Sequence, residues 1–450
     1  MKKLLQILCI MTFVSVISNP LKAQNKTGTT ILTLQEAVKY GLQHRNSLTQ
    51  VRLEVDYSKK KTQETISNYL PQISASTDYR NYLKLPTTIL PGVIAGQAPG
   101  TTIKAKFGQN NNISAGIKAQ QVILDPSLLS SIQATKVDQY IAKNNVVVEK
   151  KNAVLQIKRA FFSALTAREN WKLSKKNLHQ YQKLMAISQQ QYQNKQIQPF
   201  DLSEVKTQFK NQRQQAILDS LTYLNEIDQL KLEIGFKQGQ QISLPDSSII
   251  AMGRLPAQQT VYPGQVSYHV PEFKSIQLQK QLNAKQIQQN NRGYFPKINA
   301  YAFVGSEFFN NQFTPFQSKT WYGSSYIGLN ITLPIFSGLQ RSYKNQQLHI
   351  KRQEFTVNAE NFKQQFPQRV QIAKRQIDLA VRKARIHKSK YELATEKLSV
   401  QRKRYKLGLI NLQDVLNTEV QLNDALNSYV QALHDVINAR LEYEKLGARD

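Results

Sequence analysis

Between Pro126 and Lys195 the chain has neither proline nor glycine, and the run opens on Asp125-Pro126-Ser127, a side-chain cap followed by proline at the first helical position. One helix is predicted over residues 126–195, about 100 Å long at 1.5 Å per residue. No globular core needs an element of that length, so the molecule must be elongated and the helix must find partners along its whole side. Its second half shows how. Ile157, Ala164, Trp171, Leu178, Met185 and Tyr192 recur every seven residues, and Ala160, Ala167, Ser174, Tyr181 and Ser188 follow three residues on. Large side chains beside mostly small ones permit close antiparallel packing.

The last helical pattern, over residues 411–447, follows the same rule: Val415, Leu422, Tyr429, Val436 and Tyr443 form one row, and Thr418, Ala425, Ala432, Ala439 and Leu446 the other. A second long pattern, over residues 338–407, carries two large rows. Val370, Ile377, Ala384, Tyr391, Leu398 and Tyr405 make the first, and Ile372, Leu379, Ile386, Leu393, Val400 and Leu407 the second. A two-residue offset is about 200° of rotation, so these rows lie on nearly opposite sides. A two-helix coiled coil needs one seam, whereas a stave in a tube needs one for each neighbour. Pro367 removes a backbone hydrogen bond from this helix and is expected to bend it without ending it.

The long helices belong to an internal duplication. Tyr69-Leu-Pro-Gln-Ile-Ser-Ala75 returns as Tyr294-Phe-Pro-Lys-Ile-Asn-Ala300, and Val122-Ile-Leu-Asp125 aligns with Pro334-Ile-Phe-Ser337. Farther on, Tyr192, Ile197, Asp201 and Leu202 align with Tyr405, Ile410, Asp414 and Val415. A repeat of roughly 200 residues excludes short solenoids and indicates two fused halves. The first spans residues 24–234, with a helix, a β-hairpin over 73–123, the long helix, and a helix over 199–234. The second spans residues 271–450, with a helix, a hairpin over 298–336, and helices over 338–407 and 411–447. Residues 235–270, with their Pro, Gly and Ser, form the linker.

After each Tyr-x-Pro element the period changes from helical to two. Ile113, Ala115, Ile117, Ala119 and Ile123 alternate with Ser114, Gly116, Lys118 and Gln120, and Ile327, Leu329, Ile331, Leu333 and Ile335 alternate with Tyr326, Gly328, Asn330 and Thr332. One face is apolar and the other wet. About ten such residues suit a tilted outer-membrane strand, and the same pattern also serves a soluble sandwich. Residues 73–82 and 298–309 supply two further strands. Tyr69, Tyr79, Tyr82, Tyr294, Phe295, Trp321 and Tyr322 cluster near strand ends, as an interfacial belt would. Residues 84–111 and 310–320 read as loops. Four strands close no conducting barrel, so strands that span a membrane require an oligomer.

Bulk properties narrow the location. Lys2 and Lys3, the apolar run from Leu4 to Ile17, and Leu21-Lys22-Ala23 read as a secretory leader over residues 1–23. Cys9 lies inside it, so the mature chain is expected to have no thiol and no disulfide. Removing Lys2, Lys3 and Lys22 takes three charges from the formal +30 and leaves +27. Such a balance raises nucleic acid as a partner, but export and the lack of any recognition module argue against it. A solvated face, or attraction to anionic lipid at a cell surface, accounts for the excess.

The order of these pieces resembles the TolC-like outer-membrane efflux proteins. The likeness covers almost the whole mature chain. It is carried by Leu34-Gln-Glu-Ala-Val38 with Asn46 and Leu48, the two Tyr-x-Pro elements, Leu333-Pro-Ile-Phe-Ser-Gly338, and Tyr405-Lys-Leu-Gly-Leu-Ile410 leading to Asp414-Val-Leu416. The resemblance implies an α+β membrane protein: a homotrimer with a 12-stranded β-barrel, four strands per chain, continued by a long α-helical periplasmic tunnel. It implies a channel-tunnel in a Gram-negative outer membrane, exporting small molecules or proteins for a tripartite pump. Its partners would be outer-membrane lipid, a periplasmic adaptor and, indirectly, an inner-membrane pump of the RND or ABC type.

Tyr192, Asp201, Tyr405 and Asp414 then map to the periplasmic tip, where family members meet the adaptor and close the tunnel. Three copies of a carboxylate around an aperture concentrate negative potential and bind cations, and Glu204 could share that ring. Asn417 stands where many relatives have a second acid, Lys195 replaces the turn glycine that Gly408 preserves, and Ile410 stands where some relatives carry a basic latch. The plainer reading of Asp201 and Asp414 is a helix-start acid favoured by the helix dipole. Pro71 and Pro296 mark where helix becomes strand and are expected at one level near the inner membrane face. From Arg341 to Lys406 there are 18 Lys or Arg against 5 Asp or Glu, and part of this charge is expected to line the tunnel and favour anions.

Catalysis has little support. His44, His179, His269, His349, His387 and His434 show no ligand spacing, and there is no glycine-rich phosphate loop or nucleophile motif, so no enzyme activity and no cofactor are expected. The rival is a periplasmic coiled-coil adaptor or scaffold without channel activity. It would show one helical hairpin flanked by soluble β domains, where this chain has two hairpins, each joined to amphipathic strands.

Overall fold

Two helices set the length of the molecule. In the computed structural model, which describes residues 30–236, 241–246, 268, 270–317 and 320–447, helix α3 (Pro126–Gln193) runs for 68 residues and α6 (Gln340–Lys406) for 67. The leader and most of the 235–270 linker lie outside the described residues. Asp125 caps α3, accepting from the backbone N–H groups of Ser127 at 2.9 Å and Leu128 at 3.1 Å. Helix α6 continues through Pro367.

Shorter helices complete a wall around these two. Toward the sheet, α2 (Asn46–Ser67) packs on α3, α3 on α5 (Pro271–Arg292), and α5 on α6. In the other half the order is α4 (Pro199–Ile234), α3, α7 (Leu412–Lys445), α6. The largest core lies where the halves meet. There α1 (Leu34–His44) and residues 242–244 cover Phe161 and Leu165 of α3, Leu230 and Ile234 of α4, and Val430 of α7, all fully buried. Thr33 and Glu36 form a capping box at the start of α1, and β1 (Thr30–Ile31) pairs in parallel with β6 (Ile242–Ser243).

Two segments differ from the sequence expectation. The single helix expected before the first hairpin is broken at Arg45, which takes an extended conformation while its guanidinium bridges to Glu233 at 2.6 Å and bonds Gln156. Gly235, in the left-handed conformation at φ 69°, ends α4 against this break. A side chain there would start 2.8 Å from the His44 carbonyl oxygen. The second difference is the loop over residues 84–111. It holds a small antiparallel hairpin, β3 (Thr87–Pro91) with β4 (Thr102–Lys106), joined by a 3₁₀ turn. Proline at the end of β3 and glycines around the turn hide five-residue strands from a reading by period.

The main sheet is antiparallel, in the order β2 (Gln72–Asn81), β5 (Asn111–Leu124), β7 (Lys297–Asn310), β8 (Trp321–Thr332), so strands of the two repeats join at β5–β7. The register places Ile73, Ala75, Ile117, Ala119, Ala302, Val304, Ile327 and Leu329 on one face, and Ser74, Ser76, Gly116, Lys118, Phe303, Gly305, Tyr326 and Gly328 on the other. The apolar face is open: Ile73 is 72% exposed, Ile327 88% and Leu329 67%. Gln72 is level with Gln120 and Tyr301, which puts Pro71 level with Ala300, four residues along from Pro296.

Candidate functional site

Both helical hairpins turn with one geometry. At the first turn the N–H groups of Gln196 and Lys195 donate to the carbonyls of Gln191 (2.8 Å) and Tyr192 (2.9 Å); at the second, those of Leu409 and Gly408 donate to Arg404 (3.0 Å) and Tyr405 (2.9 Å). This paired closure requires a left-handed residue, and Lys195 (φ 57°) and Gly408 (φ 71°) both supply it. Tyr192 and Tyr405 are exposed just before their turns.

Asp201 is three residues inside the Gln198 cap of α4, and its carboxylate accepts from the Gln198 backbone N–H at 3.0 Å. Asp414 occupies the same place in α7. Here the Asn411 side chain accepts from the Asp414 backbone N–H at 2.8 Å, leaving the Asp414 carboxylate exposed. Glu204, one turn beyond Asp201, is half-buried and accepts from Gln413 Nε2 at 2.9 Å, while Asn417 stays exposed one turn beyond Asp414. Gln413 therefore ties the two turn regions together, a role no motif announced. The Asn411 cap was readable, since Asn three residues before Asp at a helix start is a common signature. Behind the tip, Tyr181, Leu184, Val205 and Leu416 form a small core. Burial, with Glu419 and Asp424 nearby, pushes the Tyr181 phenol up to about 12.

At the opposite end, each proline sits between a helix terminus and a strand start: Pro71 after α2 and before β2, Pro296 after α5 and before β7. An ion pair joins the repeats at this level, with Lys297 Nζ 2.7 Å from Asp125, whose backbone carbonyl accepts from the Tyr69 hydroxyl at 3.0 Å. Burial pushes the Asp125 carboxyl up, but donors from Lys297, Ser127 and Leu128 outweigh it and hold it below the usual carboxylate range. Tyr294 stacks under the Arg341 guanidinium at 5.3 Å. Of the expected belt aromatics, Tyr69, Tyr294 and Phe295 lie at this end, and Tyr79, Tyr82, Trp321 and Tyr322 at the loop end. Tyr301, Phe303 and Tyr326 stand mid-strand on the wet face.

The helical wall has a concave side. A groove lined by Asn170 (α3), Gln215 and Asp219 (α4), Lys383 and His387 (α6) and Asp435 (α7) touches all four helices of one half. Because α4 and α6 are the outermost of the four, a groove reaching both lies inside the curve. Lys383 of the basic helix stands there together with Asp219 and Asp435, so this side carries both signs of charge. The other large feature is apolar and at the rim. On α6, Val370, Ile377, Ala384 and Leu398 are buried within the chain, while Ile372, Leu379, Ile386, Leu393 and Val400, with Leu407 at its C-cap, are 47–73% exposed. At the far rim, Leu218, Leu221, Leu224 and Leu232 of α4 are 49–73% exposed. Among the described residues no cluster of His, Cys, Asp or Glu is placed to hold a metal, and no helix is long and apolar enough to cross a membrane.

An amphipathic antiparallel sheet mounted on long packed helices defines the class: an outer-membrane channel protein. Family comparison agrees. The family model described as outer membrane efflux protein matches residues 38–235 and 263–446, and the chain belongs to that family. Its place is the Gram-negative outer membrane. Among solved structures, the Campylobacter jejuni CmeC outer membrane channel is similar at a TM-score of 0.72 and 14% identity, covering 95% of this chain and 90% of that one. The Vibrio cholerae outer membrane protein VceC matches at 0.67 and 14%, covering 92% and 96%. The Neisseria gonorrhoeae MtrE channel, in an open state, matches at 0.69 and 16%, covering 92% and 89%. No curated protein sequence matches.

Proposed function

We propose that three copies of this chain close into a 12-stranded barrel and a continuous helical tunnel, through which a tripartite pump exports its cargo. The observation that carries this reading is the pair of unfinished rims. β2 and β8 are edges of an open sheet, and in the half away from the sheet the helical wall ends in an exposed apolar row on α6 at one rim and exposed leucines on α4 at the other. Strand pairing between β8 and the next copy's β2 would leave no edge in lipid, and the α6 row would seat on α4 of the neighbour. The apolar sheet face would then meet lipid, the wet face the lumen, and the concave side of the wall the tunnel. A coiled-coil adaptor has no use for a four-stranded sheet with Ile327 and Leu329 bare on one face.

In this assembly the hairpin turns are the inner end. Tyr192, Asp201, Glu204, Tyr405, Gly408, Asp414 and Asn417 would ring the aperture and face a periplasmic adaptor, which links the channel to an inner-membrane pump of the RND or ABC type. The Asp201 carboxylate is engaged in its own helix cap, so Asp414, with its carboxylate exposed, is the better source of a charged ring. One cysteine fixed on β2 and a second scanned along β8 test the closure, because the mature chain has no other thiol. Cross-links at a single register, giving trimers that conduct in planar bilayers, are expected. A monomer that conducts nothing and links at no register would refute the assembly.

A further inference from the structure

On the wet face of the sheet, side chains line up in rows across the strands. One row reads Ser74, Lys118, Phe303, Tyr326; the next toward the loops reads Ser76, Gly116, Gly305, Ser324; the next toward the helices reads Gln72, Gln120, Tyr301, Gly328. The glycines are there for the aromatic rings. A Cβ on Gly116 would lie 2.6 Å from Phe303 Cζ, one on Gly305 would lie 2.7 Å from the same atom, and one on Gly328 would lie 2.5 Å from the Tyr301 hydroxyl. Phe303 therefore lies across the glycine pair, with the Tyr326 ring stacked beside it at 5.3 Å and 25°. Tyr301 meets Tyr326 edge-on at 6.1 Å. Tyr326 is 49% exposed.

We propose that this surface is a binding station for planar aromatic anions on their way out through the barrel. The inference rests on the trimeric channel reading, which turns this face to the lumen. A polar lumen does not need two near-parallel rings, Phe303 and Tyr326, beside a bare glycine row, and such π-faces offer stacking to any planar ring. The sign of the charge comes from Lys118, directly opposite Phe303. It makes no ion pair among the described residues, whereas Arg80 of the same face is held by Asp78 at 2.7 Å. Glu307, the other acid on this face, is two rows away, opposite Ser114. A carboxylate on an aromatic ring would reach the Lys118 ammonium while the ring stacks on Phe303 and Tyr326. Across three copies the lumen would carry three such stations.

The test uses the purified trimer and 2-naphthoate, whose fluorescence reports binding directly, with cyclohexanecarboxylate and naphthylmethylammonium as controls for ring and charge. Naphthoate is expected to bind in competition with neither control, and to block single-channel current over the same concentration range. Phe303→Leu, which keeps an apolar cover on the glycines, and Tyr326→Ala should each weaken binding about two- to twelvefold, and Lys118→Gln up to about fivefold. Binding unchanged in the Phe303→Leu Tyr326→Ala double variant, or equal affinity for cyclohexanecarboxylate, would overturn the station. Loss of conductance from the unaltered trimer would instead count against the channel reading, so the two failures are distinguishable.

Discussion

Leu379→Ala with Leu393→Ala on α6 separates assembly from folding. Both residues belong to the exposed row of α6, at 55% and 63%, Leu379 bordering a groove with Ala380 and Asp435, and their neighbours in the buried row are held by α7 and α5. Truncating leucine to alanine removes about three carbons at about 0.8 kcal/mol each when fully buried. Scaled by the area still exposed in one chain, the two changes cost about 3 kcal/mol per interface, and about 8 kcal/mol over three interfaces. That is about a millionfold in the trimer's dissociation constant, and an upper bound, since the rim need not be covered completely. The assay is the fraction of trimer against protein concentration in mild detergent, with helical circular dichroism recorded in parallel. The expected result is a protomer of normal helicity that no longer assembles. Leu398→Ala, in the buried row, should instead lower the helical melting temperature. If the double variant stays trimeric at concentrations where Leu398→Ala unfolds, the outer row is not an interface and the tube reasoning fails.

Lys195→Gly should raise thermal stability by about 0.5–1 kcal/mol by relieving a left-handed lysine, and Gly408→Lys should lower it by a similar amount. Burial between α7 and α3 holds the His434 imidazole below its usual value, with Thr166 Oγ1 3.0 Å from Nδ1 and Asp435 opposing weakly. The unfolded chain therefore protonates first. Its stability contribution is complete above pH ~6.5 and is lost as pH falls toward the folded value, so melting temperatures between pH 7 and 5 should fall, and His434→Gln should flatten that slope. Asp125, also depressed, contributes stability above the usual carboxylate range and loses it in acid; Lys297→Gln should shrink the change in melting temperature below pH ~4. Fluorophores on cysteines replacing Leu70 and Phe295, each 57% exposed, should report the same membrane depth. The four-residue stagger is about 13 Å in an upright sheet, but a tilt of about 45° in the sense of the stagger reduces it to about 3 Å. Depths 10 Å apart would refute the common level.

The long helices, the strand faces and the matched turns were legible because each rests on a period or on a residue with one conformational use. Heptads from Ile372 to Leu407 announce a seam whether or not its partner is present, and strict alternation from Ile113 to Ala119 fixes two faces before any pairing is known. What stayed hidden depends on distant partners. Arg45 breaks a helix only because Glu233 and Gln156 come to meet it. Gln413 is unremarkable until Glu204 lies 2.9 Å away. The aromatic row exists only once the register sets Lys118, Phe303 and Tyr326 side by side, residues that are more than 180 positions apart at one of the two steps. Asp201 shows the converse: the helix-start reading of its sequence position corresponds to the cap it makes.

Duplication makes the remaining asymmetry informative. Asp125 aligns with Ser337 and Lys297 with Gln72, so the junction inside the chain carries an ion pair where the equivalent junction between proposed protomers would carry two neutral side chains. In a trimer of six repeats, charged and neutral junctions would alternate around the base of the barrel. The in-chain junction fixes the register of β5 on β7 within one molecule, where the two partners are covalently tethered and meet at high effective concentration. A charged Asp or Lys left at an open rim would be unpaired close to lipid until assembly, at a desolvation cost that neutral Ser337 and Gln72 avoid. In such a trimer the protomer sheet would set first around Asp125 and Lys297, and the open rims of α6 and α4 would join afterwards through apolar contact.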